Sequence, residues 1–385
     1  MTGQPLVGGE DARTVHVPVI GLLAEIADAC DLSLPKRYIR PIGIVGTGAI
    51  LDVGHLPVYR AAGIPVPAIW GRNRNHAERL AEAHDIPRVH DTLDDLLADP
   101  EIAVVDIAVV PDAQVEMALR ALDAGKDVMC QKPLALDVDE AARIVERAEM
   151  RGRKVAVQQQ MRYEEGMLAA RAMIERGWIG EVTTISFEVN INTDLAGWGW
   201  LGEVPRLEIF FHSIHYIDTI RAFLGEPTAI FGTQWRLPGQ RPVGETRTLS
   251  VLMYPGDVRA IVHSNQENYA SDNEARFRID GSKGSIKGDL GLLADYPRGR
   301  PDTVEVWSSV MPTDGWLPYP VTRRWIPDAF LGPVGSLLRA MKDGGEPESG
   351  ARDNLKTLRL VDALYRSGET GEVIRIEPDG PDDRS

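Results

Sequence analysis

The stretch Ile42-Gly43-Ile44-Val45-Gly46-Thr47-Gly48-Ala49-Ile50-Leu51 constrains the fold of this chain more than any other. Ile42, Ile44 and Val45 make a short apolar strand, two glycines spaced by one residue come next, and the segment after them continues as a helix to residue 59. A strand, a tight turn and a helix start aim backbone N–H groups and the positive end of the helix dipole at an anion, typically a dinucleotide pyrophosphate. Gly46 permits the turn, and Gly48 lets the backbone approach phosphate with no Cβ in between. Thr47, Ala49 and Ile50 complete the expected cradle. The third small residue of the fingerprint is replaced by Leu51, so the turn takes its meaning from the rest of the chain.

Downstream of the turn, strands and helices alternate. Strands are expected at 66–70, 104–110, 128–130 and 155–158, and helices at 76–84, 92–98, 113–124 and 138–151. Thr92 with Asp95 three residues on reads as a helix N-cap, and Gly125 and Gly152 suit left-handed C-cap positions. The run 104–110 is almost wholly apolar, as buried parallel strands are. This pattern predicts a doubly wound parallel sheet over residues 41–160. Beyond Arg162 the pattern changes. Helices are expected at 166–176 and 209–224, then strands at 182–191, 229–235, 246–253, 258–264 and 275–279, with Gly281-Ser282-Lys283-Gly284 as a hairpin turn. Late helices at 330–342 and 351–366 precede a strand at 373–376. The fold class is therefore α/β, with a second α+β domain over residues 161–377 built on an open antiparallel sheet. Residues 1–40 form an arm without assigned chemistry, strand-like at 15–19 and helical at 22–29, and residues 378–385 an acidic tail.

A formal charge of −15 over 385 residues argues against nucleic acid or an anionic membrane as partner. Only Cys30 and Cys130 occur, far apart, which points to a reducing cytoplasm rather than a disulfide framework. No apolar run approaches the ~20 residues a membrane helix needs, and a secretory signal is not expected.

Two further stretches, Val109-Val110-Pro111-Asp112-Ala113-Gln114 and Ala124-Gly125-Lys126-Asp127-Val128-Met129-Cys130-Gln131-Lys132-Pro133-Leu134-Ala135, carry a resemblance. With the glycine turn and the domain order, the chain resembles the Gfo/Idh/MocA oxidoreductases (the glucose–fructose oxidoreductase and inositol dehydrogenase group) over nearly all of residues 41–376. The resemblance implies a Rossmann domain holding NAD or NADP, and a C-terminal sheet through which a dimer or tetramer forms. It implies hydride transfer between nicotinamide and a secondary alcohol of a sugar, cyclitol or sugar acid. Cofactor contacts would come from Val110, Pro111, Gln114, Gln131 and Lys132. The family's Glu-Lys-Pro signature reads Gln131-Lys132-Pro133 here, so one negative charge is missing.

Lys132 follows a strand's carboxyl end, where α/β sheets bind ligands. Partly desolvated there, its amine would titrate below the ordinary ~10.4 and could take the proton of an alcohol as hydride leaves the carbon. A second constellation is Glu208-x-x-x-His212-x-x-His215-x-x-Asp218, whose helical spacing places the four near one face. His215 and Asp218 match the family's pattern, but its aspartate position is Phe211, leaving His212 or Glu208 to take that role. A divalent ion on Glu208, His212 and His215 is an alternative that lacks a fourth ligand, so no metal is assigned.

At the end of the second strand, where NAD-binding domains commonly carry an acid for the ribose, the chain reads Trp70-Gly71-Arg72-Asn73-Arg74. Arg72, with Asn73 and Arg74 beside it, would suit a 2′-phosphate and so leans towards NADP. Trp198 and Trp200, set among glycines, can stack on the apolar face of a sugar ring, and Gln160 and Arg162 lie where the family places polar substrate contacts. Two rival readings are a redox-cycling glycoside-cleaving enzyme that keeps its dinucleotide bound and a non-catalytic sugar or cofactor sensor. Retained Lys132 and His215 argue against the sensor.

Overall fold

Six short apolar strands, each leading into a turn or helix, pair in parallel in the N-terminal half: β1 Ile42–Val45, β2 Ala68–Trp70, β3 Arg88–Val89, β4 Val104–Ile107, β5 Asp127–Cys130 and β6 Val155–Val157. The computed structural model describes residues 19–377, apart from Ser271, Pro297 and residues 312–314. The strand order is β3-β2-β1-β4-β5-β6, so the sheet reverses direction of growth between β1 and β4. That reversal opens a crevice at the carboxyl ends of the two strands, the place where doubly wound sheets bind ligands. β1, β4, β5 and β6 are buried along their whole length, as strands covered on both faces must be. The expected caps are present. Thr92 and Asp95 form a reciprocal capping box, and Gly152 closes helix Val138–Arg151 in the left-handed conformation.

The second sheet has nine strands: β7 Val182–Asn190, β8 Ala229–Trp235, β9 Arg247–Met253, β10 Arg259–Asn265, β11 Glu274–Gly281, β12 Gly284–Asp289, β13 Val304–Ser308, β14 Leu317–Tyr319 and β15 Ile374–Arg375. Their order is β14-β13-β12-β11-β7-β10-β9-β8-β15. The antiparallel expectation holds except for β7 and β10, which pair in parallel. Helix Ile214–Leu224 returns the chain across one face, so β8 starts in the direction of β7, and two hairpins later β10 shares it. Burial alternates along β9, β10 and β11, with one face covered and the other open. Helix Ala351–Thr370 lies against the covered side, where Ser367 Oγ accepts from the Gly232 N–H at 3.0 Å.

Three expectations change. The helix expected over 209–224 begins with a π turn, Ile209–Ser213, before its α-helical part. Its two adjacent aromatics face different neighbours: Phe210 stacks on Tyr365 at 5.7 Å and Phe211 meets Trp200 edge-on at 5.5 Å. Val19 belongs to helix Val19–Ala29 rather than to a strand, while residues 15 and 17 and the tail 378–385 lie outside the described residues. Finally, a cut at residue 160 does not follow the packing. Phe330, Val334, Leu337 and Leu338, around and within helix Leu331–Asp343, are buried in one cluster with Ile42 and Ile44 of β1. The C-terminal half thus closes a face of the N-terminal sheet.

Candidate active site

The glycine turn is built for close approach. Gly46 sits at φ 124°, and a Cβ there would come within 2.2 Å of the Ala108 carbonyl oxygen. At Gly48 a Cβ would meet nothing nearer than that same oxygen, at 3.9 Å, so bare backbone faces the crevice. Gly71 presses on the turn from the end of β2, its absent Cβ lying 2.5 Å from Thr47 Cγ2. The cradle Gly46–Ile50, the β2 end with Arg72 and Asn73, Val110 and Pro111 after β4, and Gln131 and Lys132 after β5 all sit at the carboxyl ends of the parallel strands. This bare-backbone turn at the switch point fits a dinucleotide pyrophosphate. Beside it, Trp70, Asp91, Asp112 and Met117 line a cavity of about 560 Å³.

Three of the expected cofactor residues have other partners. Asn73 caps helix Arg74–Ala83, its side chain accepting from the His76 N–H at 3.2 Å. Gln114 is buried, and its amide nitrogen donates to the carbonyls of Gln131, Pro133 and Leu134 at 2.7, 2.9 and 3.0 Å. Through that nitrogen it clamps the loop after β5, while its Oε1 is buried without a partner among the described residues. Arg74 is held by Glu78 and Asp91. Arg72, in contrast, is exposed and has no side-chain partner among the described residues.

Lys132 stands at the centre. The Lys132–Pro133 bond is cis, and Nζ donates to the Phe211 carbonyl in the π turn. Burial pulls the amine down to about 7, with the charge of Glu208 opposing the shift. His212 is pulled down to about 3 by burial and by Lys132, and His215 falls well below the ordinary histidine value for the same reasons. Both imidazoles are therefore neutral at pH 7, and the Nδ1 atom of each is buried without a partner among the described residues. Trp325, which the sequence did not single out, meets His215 edge-on at 5.4 Å, and its indole N–H is also buried and unpartnered. Nothing in its local sequence marks it. It is brought to the site by the loop before helix Leu331–Asp343.

The Glu208–Asp218 series does not share one face. Glu208 turns towards β9, its carboxylate accepting from Ser213 Oγ at 2.8 Å and Thr248 Oγ1 at 2.6 Å, while burial raises it to about 7. Asp218 lies on the other side, bound to Arg162 and accepting from Thr357 at 2.7 Å. Arg162 donates to both Asp218 oxygens, to Asp353 at 2.6 Å and to the Glu348 carbonyl at 3.2 Å. Its guanidinium is a buried ion-pair hub and not the free substrate contact expected. No three carboxylate, thiol or imidazole groups among the described residues are grouped as a metal site. Gln160 starts a 3₁₀ turn after β6 with its Oε1 buried and unpartnered. Trp200 is 45% exposed at the rim, over Phe211, whereas the side chain of Trp198 lies outside what is described.

A phosphate-binding turn at the switch point of a 3-2-1-4-5-6 sheet, with a lysine of lowered basicity after β5, defines a dinucleotide-dependent oxidoreductase fold and site. Residues 40–159 match the model for the oxidoreductase family with an NAD-binding Rossmann fold, and residues 167–287 match the GFO/IDH/MocA C-terminal domain. The chain belongs to the Gfo/Idh/MocA oxidoreductase family. It is 26% identical to D-xylose 1-dehydrogenase (NADP(+)) 2 of Haloferax volcanii, over 87% of this chain and 99% of that one. It is 25% identical to inositol 2-dehydrogenase of Rhizobium meliloti, covering 87% and 98%. An oxidoreductase from Agrobacterium radiobacter, solved with NAD⁺, L-tartaric acid and magnesium, superposes with a TM-score of 0.76 at 22% identity, covering 87% and 98%. No helix among the described residues is long and apolar enough to cross a membrane.

Proposed function

We propose that this protein oxidises a secondary alcohol of a neutral sugar or cyclitol, with Lys132 as the base. The observation that carries the reading is the half-buried Lys132 amine, lowered to about 7 and set beside two neutral histidines at the mouth of the dinucleotide crevice. A nicotinamide dinucleotide, its pyrophosphate held on the Gly46–Ile50 turn, would supply the hydride acceptor. Lys132 in its free-base form takes the hydroxyl proton, and the Phe211 carbonyl orients the amine. His215, with Trp325 against it, positions the hydroxyl, and His212 supports it. Neutral imidazoles, an indole N–H and the Gln160 amide are suited to hydroxyl groups. Arg162, the guanidinium that would bind a sugar acid's carboxylate, is neutralised by Asp218 and Asp353, which favours an uncharged substrate. Trp200 at the rim offers a stacking face. The relatives named for D-xylose and inositol agree with this class.

Arg72 without an acidic neighbour on its strand end favours NADP over NAD. The open face of the nine-stranded sheet is the proposed self-association surface: Phe231, Val251 and Ile261 stand in one cross-strand row, and Ile261 is 36% exposed. Two buried free cysteines suit a cytoplasmic setting. The test is a dehydrogenase screen of aldoses, inositols, aldonic acids and uronic acids with each dinucleotide, following absorbance near ~340 nm, the reduced nicotinamide band. Turnover of neutral polyols with NADP is expected. Turnover of acids alone, or none across the panel, would overturn the reading.

A further inference from the structure

Next to Lys132 the chain has an amide, Gln131, and that amide ends a buried hydrogen-bond chain. Gln131 Oε1 accepts from the Lys132 backbone N–H at 2.7 Å, which fixes the amide's orientation and turns its NH₂ away from the lysine. The Gln131 Nε2 atom then lies 3.2 Å from His55 Nε2, so this ring nitrogen must be the acceptor. The other nitrogen, His55 Nδ1, is 2.7 Å from Asp106 Oδ2 and donates to it. Tyr59 donates its hydroxyl to the same oxygen at 2.7 Å. His55, Asp106 and Tyr59 are each 0% exposed. Phe330 meets the imidazole edge-on at 5.1 Å and Tyr59 does so at 6.2 Å, holding the ring plane. Every donor and acceptor in the series agrees with one tautomer, His55 with its proton on Nδ1.

The members come from three elements that the cofactor crevice also uses. His55 ends the π turn Leu51–His55 just beyond the glycine turn, Asp106 is on β4 at the switch point, and Gln131 comes directly after β5. We propose that Gln131, His55 and Asp106 are positioning residues for Lys132, a chain locked in a single tautomer that fixes the lysine backbone against the dinucleotide turn and adds no titrating charge beside it. This rests on Lys132 being the reacting base. The groups facing the chain are few. Asp106 is met by His55, Tyr59 and, from β5, the Cys130 thiol, which burial and Asp106 push far up. Lys132 faces His212 of the π turn and His215 of the helix after it, and feels the charge of Glu208, which precedes the turn. A carboxylate of the same shape at 131 would set an oxygen against the lone pair of His55 Nε2. The contact would become favourable only when His55 takes a second proton and donates to both carboxylates. An amide at 131 therefore adds no ionisation to those of Lys132 and Glu208, whereas a carboxylate there adds one.

The test has two arms on the full-length protein. Long-range ¹⁵N–¹H spectra of the imidazoles, with His55 assigned through His55→Gln, are expected to show the Nδ1–H tautomer at pH 7. In Gln131→Glu the same ring is expected to be doubly protonated. Wild-type His55 carrying its proton on Nε2, or doubly protonated, overturns the chain whatever Lys132 does. In the second arm, kcat for alcohol oxidation is measured against pH. The Gln131→Glu profile should carry one ionisation more than the wild-type profile, on the alkaline side, where His55 gives up its second proton. Gln131→Met, which keeps the length and loses both hydrogen bonds, should lower kcat about ten- to a hundredfold with the wild-type profile shape, as a displaced reacting group does. A Gln131→Met enzyme with unchanged kcat, or a Gln131→Glu profile that is merely scaled down, would reject the positioning role. Failure of Lys132 as base would appear separately, as retained activity in Lys132→Met with the His55 tautomer unchanged.

Discussion

An amine lowered to about 7 is half in its free-base form near neutral pH, and this sets the direction of the expected pH effect. Alcohol oxidation needs the free base. Its kcat should be near its maximum above pH 8 and fall about tenfold per pH unit well below 7, while carbonyl reduction shows the opposite trend. Stopped-flow measurement of the hydride step at several pH values checks this. Lys132→Met should remove turnover by roughly 10²–10⁴ and leave dinucleotide affinity within about tenfold. Arg72→Ala should weaken NADP about ten- to a hundredfold and NAD little, because only the 2′-phosphate uses the charge-assisted bonds. Equal losses for the two dinucleotides, measured by fluorescence titration, would return the choice between them to open. At this scale the sequence was informative wherever a residue's task depends on its own backbone. The Gly46–Gly48 turn could be read from a strand–turn–helix pattern, and the position of Lys132 from its place after a strand. Gln114 and Arg162 could not. What each binds is decided by partners 17 to 191 residues away, and no local pattern records those.

The π turn Ile209–Ser213 shows the same limit for an element. Apolar periodicity predicts that a helix exists over 209–224, and one does, but a single widened turn changes which side chains share a face. It presents the Phe211 carbonyl to Lys132 and leaves Glu208 facing β9 and Asp218 facing Arg162. The histidines proposed to meet the substrate are thus separable from the acids held in the fold. His215→Ala should lower kcat by about a hundredfold, and His212→Ala by less, with activity unaffected by chelators in both cases. Equal losses together with chelator-sensitive activity would favour the metal alternative. Asp218→Asn should instead lower stability by roughly 3–5 kcal/mol, since it leaves Arg162 buried with a weakened partner. A thermal melt reads that change, and the folded fraction should keep its kcat.

For the whole molecule, the two sheets and their order of assembly were legible from the change in alternation after Arg162, and the parallel β7–β10 pair was not. Direction within a sheet depends on how many times a helix or hairpin reverses the chain, and hydrophobic pattern carries no sign of direction. If the open face joins two copies, Val251→Lys with Ile261→Lys should yield a monomer by light scattering, because both positions lie in one row of β9 and β10. The return of helix Leu331–Asp343 to the first sheet matters for how the protein is made. Ile42 and Ile44 emerge from the ribosome early, yet Val334 and Leu338, which cover them, come nearly 300 residues later. Leu56, Tyr59 and Ile64 cover part of that face from the start, and the rest stays open until the late helix arrives. A nascent chain stalled at residue 300 should therefore bind a hydrophobic dye and recruit holdase chaperones, and one stalled after residue 377 with its exit from the tunnel complete should not.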